Sequence, residues 1–231
     1  MRIPRIFLDQ ELAENKSYLL DKESSHHLTV IKINDGEMVE LFNSKGQSVI
    51  GKVITKEKNS YKINAKSPLK LQKKELPKIS LGIAEIKNFK KILNETTQLG
   101  IYQIDCLVTQ RSKFKKKPSE KKIQSWHKIL QSSCEQSGNN WMPKLSFNKL
   151  DQWQEEIKSK NKYYLHPGEN LDLKSLTGLN EIFIGIGPEG GFSPEEISSF
   201  KSKGFQGVSI GDLIIKTETV PTVLLSMLKV I

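Results

Sequence analysis

Cysteine is almost missing from this chain. Cys106 and Cys134 are the only two, and no Cys-x-x-Cys spacing occurs, which leaves no basis for a disulfide framework or a structural zinc site. Long apolar runs are missing as well: none approaches the roughly 18–20 residues that a membrane-spanning helix needs. The opening segment Met1–Leu12 scatters charges among its apolar residues and has no signal-peptide core, so a cytoplasmic protein is expected. No Gly-x-x-x-x-Gly-Lys-Ser/Thr phosphate loop is found. Arginine is the last scarcity. Of 36 basic residues only Arg2, Arg5 and Arg111 are arginines, so the planar, bidentate guanidinium fork is confined to three positions.

Lysine, by contrast, is abundant and unevenly placed. Residues 1–77 carry 14 Lys and Arg against 10 Asp and Glu, residues 78–150 carry 14 against 5, and residues 151–231 carry 8 against 11. The net charge of +10 is therefore concentrated in the middle, where Arg111-Ser112-Lys113-Phe114-Lys115-Lys116-Lys117 and Lys121-Lys122 form its peak. A basic stripe with an aromatic in it has the form of a phosphate-backbone footprint; a lysine-rich solvated surface has the same form.

The most informative stretch is Ile184–Ile197, IGIGPEGGFSPEEI. Ile182, Phe183, Ile184 and Ile186 read as a short buried strand that runs into Gly187-Pro188-Glu189-Gly190-Gly191, a turn with almost no side-chain bulk. A helix then opens, with Ser193 as N-cap, Pro194 at its first position and Glu196 placed for a capping box; Gly204 ends it. Such a turn lets backbone approach a ligand at the carboxyl end of a strand, or serves as an ordinary tight connection. Acidic Glu189 disfavours phosphate and suits a cationic ligand such as an adenosyl sulfonium.

The spacing predicts two parts. Over residues 1–70, strands at Arg5–Leu8, Ser17–Leu20, Met38–Phe42, Gln47–Thr55 and Tyr61–Ala65 surround one short helix, Ser24–Ile31. Residues 71–77 read as a linker. From Lys78 to Ile231 strands alternate with helices: strands at Ile79–Ile86, Gln103–Thr109, Tyr163–Leu165, Glu181–Ile186 and Gly207–Ile210, helices at Asn88–Leu99, Ser119–Ser137 and Pro221–Ile231. That pattern implies an α/β domain with a mostly parallel sheet covered on both faces.

Several motifs stand in one collinear order: Met1–Phe7, His26–Lys32, Asn94–Gly100, Gln110-Arg111-Ser112, Cys134–Ser137, Leu165-His166-Pro167, Gly187–Phe192 and Ile210–Thr219. In these the chain resembles, nearly end to end, the bacterial 16S ribosomal RNA uridine-N3 methyltransferases of the SPOUT superfamily. The resemblance implies a small PUA-like β-barrel that binds RNA, followed by a knotted (trefoil) α/β methyltransferase domain, and a cytoplasmic homodimer. It implies S-adenosylmethionine as methyl donor with no metal, and 16S rRNA within the small ribosomal subunit as substrate. Three loops would hold the cofactor, through Leu165, His166, Gly185, Gly187, Glu189, Gly190, Ile210, Gly211, Ile215 and Thr219. Glu218 is the candidate for orienting the uracil or taking its proton, or else it caps the last helix; Lys216 is the candidate for stabilising charge that develops on the base. Arg2, Arg5, Arg111, Lys113 and Lys115 are the candidate RNA contacts. The last helix, with Val223, Leu224, Met227, Leu228 and Ile231 at helical spacing, is either a dimer face or intrachain core. Departures from the family pattern include Gln98, Ile215-Lys216 and Val220, and Gly138-Asn139-Asn140 where an arginine is usual. Two alternatives stay open: a ribose 2′-O-methyltransferase of the same superfamily, whose C-terminal Ser-Leu-Asn motif is missing here, and a non-enzymatic RNA-binding assembly factor.

Overall fold

The computed structural model describes residues 3–57, 60–74 and 76–229. Arg2 and Ile231 lie outside the described residues. Two compact units result: residues 1–74 together with 131–142, and residues 75–130 together with 143–231.

In the first unit the order is β1 (Arg5–Phe7), β2 (Ser17–Leu19), α1 (Lys22–Val30), β3 (Met38–Phe42), β4 (Gln47–Glu57), β5 (Ser60–Ala65) and β6 (Lys70–Leu71). The strands form one mixed sheet in the order β1-β3-β4-β5-β2, with β6 pairing on β4. Only β1–β3 is parallel; the other pairs are antiparallel. Alternation explains the register: in β5, Tyr61, Ile63 and Ala65 point into a core shared with Ile6, Leu28, Leu41 and Val53, while Lys62 faces out. The helix begins two residues before the Ser24 expected of it, because Asp21 is the N-cap and accepts from the Ser24 N–H at 2.7 Å. The expected linker begins inside β6: Leu71 pairs with Gln47 of β4, as Lys70 before it does with Ser48.

The second unit holds β7 (Lys78–Ala84), α2 (Phe89–Gln98), β8 (Gln103–Val108), α3 (Glu120–Ser137, whose last residues group with the first unit), β9 (Lys144–Lys149) and α4 (Leu150–Glu156). It continues with β10 (Lys162–Leu165), β11 (Leu171–Asp172), a 3-10 turn at Leu173–Leu176, β12 (Glu181–Ile186), α5 (Pro194–Ser202), β13 (Gln206–Ser209) and α6 (Val220–Lys229). Its seven strands lie in the order β11-β13-β10-β12-β7-β8-β9, and every pairing is parallel. Central strands of such a sheet are buried on both faces and read as apolar runs, as Ile79–Ala84 does. All carboxyl ends therefore share one edge.

Glycine has a packing task at the sheet centre. Gly82 and Gly185 are register partners on β7 and β12. A Cβ on Gly82 would sit 2.5 Å from the Trp153 ring, and one on Gly185 would sit 3.1 Å from Phe200. Their bareness admits the aromatic cluster of Trp153, Tyr164, Phe192, Phe200 and Phe205 against the strands. Gly185 thus faces this core and does not line the cleft expected to hold the cofactor.

On α6, Leu224, Leu225 and Leu228 are buried within the chain, while Val223 and Met227 are half-buried. Thr222 donates to Glu95 of α2 at 2.7 Å and Lys229 to the Gly100 carbonyl at 2.8 Å, fixing α6 on its own unit. None of the described helices is long and apolar enough to cross a membrane.

Candidate functional site

Three connections leave the carboxyl ends of the adjacent strands β13, β10 and β12 and meet in one cleft of about 310 Å³. Each is held by local chemistry. After β10, His166 extends the sheet by donating its N–H to the Val208 carbonyl at 3.0 Å, and the Tyr164 hydroxyl donates to Glu169 at 2.6 Å. That bond first, and then Lys201 beside it, lowers the Glu169 carboxyl below its ordinary value against an opposing burial effect.

After β12, Gly191 donates to the Pro188 carbonyl at 2.8 Å and closes the turn. Gly187 cannot carry a side chain here: its Cβ would lie 2.9 Å from the Gly191 carbonyl carbon and 3.0 Å from the Phe192 nitrogen. Gly190 is less restricted, with only the Arg111 side chain at 3.6 Å. The helix α5 then starts with the expected capping box, Ser193 accepting from the Glu196 N–H and Glu196 from the Ser193 N–H. The other Glu196 oxygen accepts from Gln110 at 2.7 Å, which ties the loop after β8 to this turn.

That loop carries Arg111. Its guanidinium donates to the carbonyls of Gly190 at 2.7 Å and Phe192 at 3.3 Å. Lys115 turns back on the same loop, donating to the Thr109 and Gln110 carbonyls. Lys113 is exposed. Arg111, expected on the sequence as an RNA contact, therefore lines the cleft and braces its glycine turn.

The third connection, Ile210–Thr219, presents Ile210, Gly211, Leu213, Ile214, Ile215 and Thr217 to the cleft. Of the residues expected to hold a cofactor, all but Gly185 and Thr219 line it. Thr219 is instead committed to the start of α6, where its carbonyl accepts from Val223 at 3.1 Å. Ile186, Phe192, Ser209 and Val220 also line the cleft, though the sequence marked none of them as holding the cofactor; they flank the glycine turn and strand ends, a signal that strand boundaries supply. Gly185-Ile186-Gly187-Pro188-Glu189-Gly190 does carry Gly-x-G-x-x-G spacing, but Gly185 is spent on packing and α5 opens only at Pro194, so no helix N-terminus adjoins the turn as a dinucleotide cradle requires.

Glu218 and Lys216 stand beside the cleft, on the same loop as the lining residues Ile215 and Thr217. Asn88, at the start of α2, donates its side-chain amide to Glu218 at 3.3 Å. A hydrogen bond from its own backbone, then Asn88, Lys216 and Lys91, lower the Glu218 carboxyl below its ordinary value. It is an ionised acceptor at neutral pH.

Arg5 has a different occupation from the RNA contact expected of it. Its side chain is buried, donates to Glu40 at 3.0 Å and to the Cys134 carbonyl at 2.6 Å, bonds Asn140, and lies 4.3 Å over the Phe42 ring. The guanidinium is a structural centre of the first unit. Among the described residues no cluster of three or more His, Cys, Asp or Glu side chains is arranged to hold a metal ion.

Comparison with known proteins adds three findings. Residues 73–229 match the family model described as an RNA methyltransferase domain. A ribosomal RNA small subunit methyltransferase E of Buchnera aphidicola is 30% identical over 99% of this chain and 93% of its own length; one from Rickettsia conorii is 29% identical over 95% and 92%. Among solved structures, a methyltransferase from Legionella pneumophila in complex with the bound cofactor SAM superposes with a TM-score of 0.90 at 29% identity, covering 100% of this chain and 98% of that one. A ribosomal RNA small subunit methyltransferase E from Neisseria gonorrhoeae, bound to S-adenosyl methionine, gives 0.90 at 23% identity over 97% and 96%, which speaks for the fold.

Proposed function

Because the chain belongs to the ribosomal RNA small subunit methyltransferase E family, of SPOUT type, we propose that it methylates N3 of a uridine in small-subunit ribosomal RNA with S-adenosylmethionine as donor. The observation that carries this reading is the convergence of three strand-end loops on one cleft beside an ionised carboxylate, Glu218.

The cleft suits that cofactor. Its glycine turn offers backbone instead of side chains, Leu165, Ile186, Ile210 and Ile215 offer apolar surface to a flat heterocycle, and Glu189 offers negative charge to a sulfonium. Leu165, His166, Gly187, Gly190, Ile210 and Ile215 would hold it. When bound, S-adenosylmethionine supplies an already activated methyl group, so the protein's task is positioning and exclusion of water.

The uracil N3 carries a proton that must leave. Glu218, held by Asn88, accepts a hydrogen bond from the imide N–H and so aims N3; its lowered pKa makes it a poor resting place for the proton, which solvent hydroxide takes up as water before N3 attacks the methyl group. Lys216, one turn of loop away, offers positive charge to the uracil oxygens as the base becomes anionic.

Incubation of the full chain with small ribosomal subunits and methyl-labelled S-adenosylmethionine, followed by nucleoside mass spectrometry, tests the reading. The expected product is 3-methyluridine. Label on a ribose oxygen, or none in RNA, overturns it.

A further inference from the structure

A second cavity, of about 460 Å³, opens on the same edge of the parallel sheet, at the carboxyl ends of β7, β8 and β9. Nothing in the cofactor cleft uses it. Its walls combine two half-buried rings, Phe114 and Phe147, with Asn148 and a rim of exposed lysines, Lys116, Lys117 and Lys149. Phe147 is held rigidly, stacked on Trp126 with ring centres 5.9 Å apart and an interplanar angle of 19°. Lys122 lies 4.5 Å over the Phe114 ring and ion-pairs with Glu85, a buried carboxylate that also lines the cavity.

We infer that this cavity is a subsite for an unpaired nucleotide of the RNA substrate, one that flanks the uridine presented to the cofactor cleft. Three features select a nucleotide over a bare anion. The aromatic walls, Phe114 with Lys122 over its ring and Phe147 with Lys117 5.7 Å from its ring centre, offer stacking surface that every base can use, Phe114 on its other face and Phe147 where Lys117 swings out to the phosphate. Asn148 and Glu85 offer hydrogen-bond partners to a base edge, whereas the Glu85 carboxylate repels a phosphate placed deep in the cavity. The lysines stand at the rim, where a phosphodiester joined to an inserted base would emerge.

Position supports a strand over a free nucleotide. The cofactor cleft is centred on β10 and this cavity on β8, three strand spacings away, or about 14 Å. The loop after β8 lines both, with Arg111 in the first and Lys116 and Lys117 in the second. A short span of RNA backbone following that loop places one base in each. The inference rests on the RNA-methyltransferase reading for the identity of the strand.

The probe is a short single-stranded oligouridylate, fluorescein-labelled and carrying 4-thiouridine, with the full chain. Lys116→Ala/Lys117→Ala is expected to lower the slope of log affinity against log salt by about 1.4, two phosphates at about 0.7 each. Phe114→Ala is expected to weaken binding by about 5- to 150-fold, the range for loss of one stacked base. Phe147→Leu, which keeps an apolar side chain against Trp126 while removing the ring, serves as the second aromatic variant, with thermal melting confirming that both fold. Ultraviolet irradiation of the wild type should attach the oligonucleotide to peptides holding Phe114 or Phe147. Unchanged affinity and slope in all variants, or crosslinks confined to other peptides, overturn the subsite. Uridine monophosphate displacing the oligonucleotide at equal concentration overturns the strand and leaves a free-nucleotide site. Methyl transfer by the wild type is scored separately: its absence with the binding losses intact rejects the methyltransferase reading and not the subsite.

Discussion

Glu218 accepts hydrogen bonds from its own backbone and from Asn88, and Lys216 and Lys91 lie near it; all four favour the carboxylate. A base so disfavoured for protonation contributes aim more than proton affinity. Glu218→Gln should therefore lower turnover by about 10- to 100-fold, below the roughly 100- to 10,000-fold that a general base contributes, and by the same factor at every pH. A pH–rate limb present in the wild type and missing in the variant would instead make Glu218 the proton acceptor. Arg5 poses the opposite case, a charge spent on folding. Truncation to Ala leaves the Cys134 carbonyl and the Asn140 amide without their donor, while Glu40, partly exposed, regains water. We expect a loss of about 3 kcal/mol in urea denaturation. A direct RNA contact would leave stability unchanged and reduce the salt slope of binding. Nothing local marks Arg5 as buried, because its partners Cys134 and Asn140 lie more than a hundred residues along the chain; its neighbour relations become legible only in three dimensions.

Elements with their own punctuation were readable in advance. The turn at Gly187–Gly191 and the helix α5 announce themselves through glycine, proline and a capping box, and β12 was expected at the bounds it has, Glu181–Ile186. The β9 strand and α4 helix carry no such marks. Lys144–Lys149 alternates Leu145 and Phe147 with lysine and polar residues, and becomes a strand by pairing with β8 at the sheet edge. Leu150–Glu156 is too short to show a helical period, and Trp153 defines it by packing over Gly82. A knot was an expectation of family resemblance alone, since no periodicity encodes threading. Crowding in the glycine turn gives a test at this scale. Gly187→Ala forces a Cβ to within 2.9 Å of backbone, whereas the Cβ of Gly190→Ala meets the Arg111 side chain at an ordinary 3.6 Å. Titration calorimetry with S-adenosylmethionine should show affinity reduced about 10-fold or more by Gly187→Ala, in line with an overpacking cost of about 1–3 kcal/mol, and nearly retained by Gly190→Ala. Equal effects of the two would place the cofactor away from this turn.

For the whole molecule, charge and burial point to different variables. The final helix keeps Leu224, Leu225 and Leu228 inside its own unit, so a dimer through it would draw on Val223 and Met227, a narrower stripe than helical spacing alone suggests. Proton linkage depends on groups in both units. Burial pushes the Cys106 and Cys134 thiols from 9.0 up to about 12, with Glu85 adding to the rise at Cys106 and Lys122 opposing it there, and Arg5 opposing the rise at Cys134. Both thiols are neutral and inert as nucleophiles at physiological pH. Burial also raises the phenols of Tyr163 and Tyr164, the latter aided by its bond to Glu169. Between about pH 9 and 12 the unfolded chain has released protons that the folded chain still holds, so stability falls as pH rises through that window. At the acid end the sign reverses. Glu169, Glu195 and Glu218 have lowered folded values, and their contribution, present above about pH 4.5, is lost as pH falls; exposure of Glu195 and Glu218 keeps their share small. Melting temperature should thus be flat between about pH 5 and 9 and decline on either side. Cys134→Ala lowers the plateau by opening a cavity, yet it removes one titrating thiol, so its alkaline decline should be shallower than that of the wild type. An alkaline limb as steep in Cys106→Ala and in Cys134→Ala as in the wild type would assign the decline to the tyrosines.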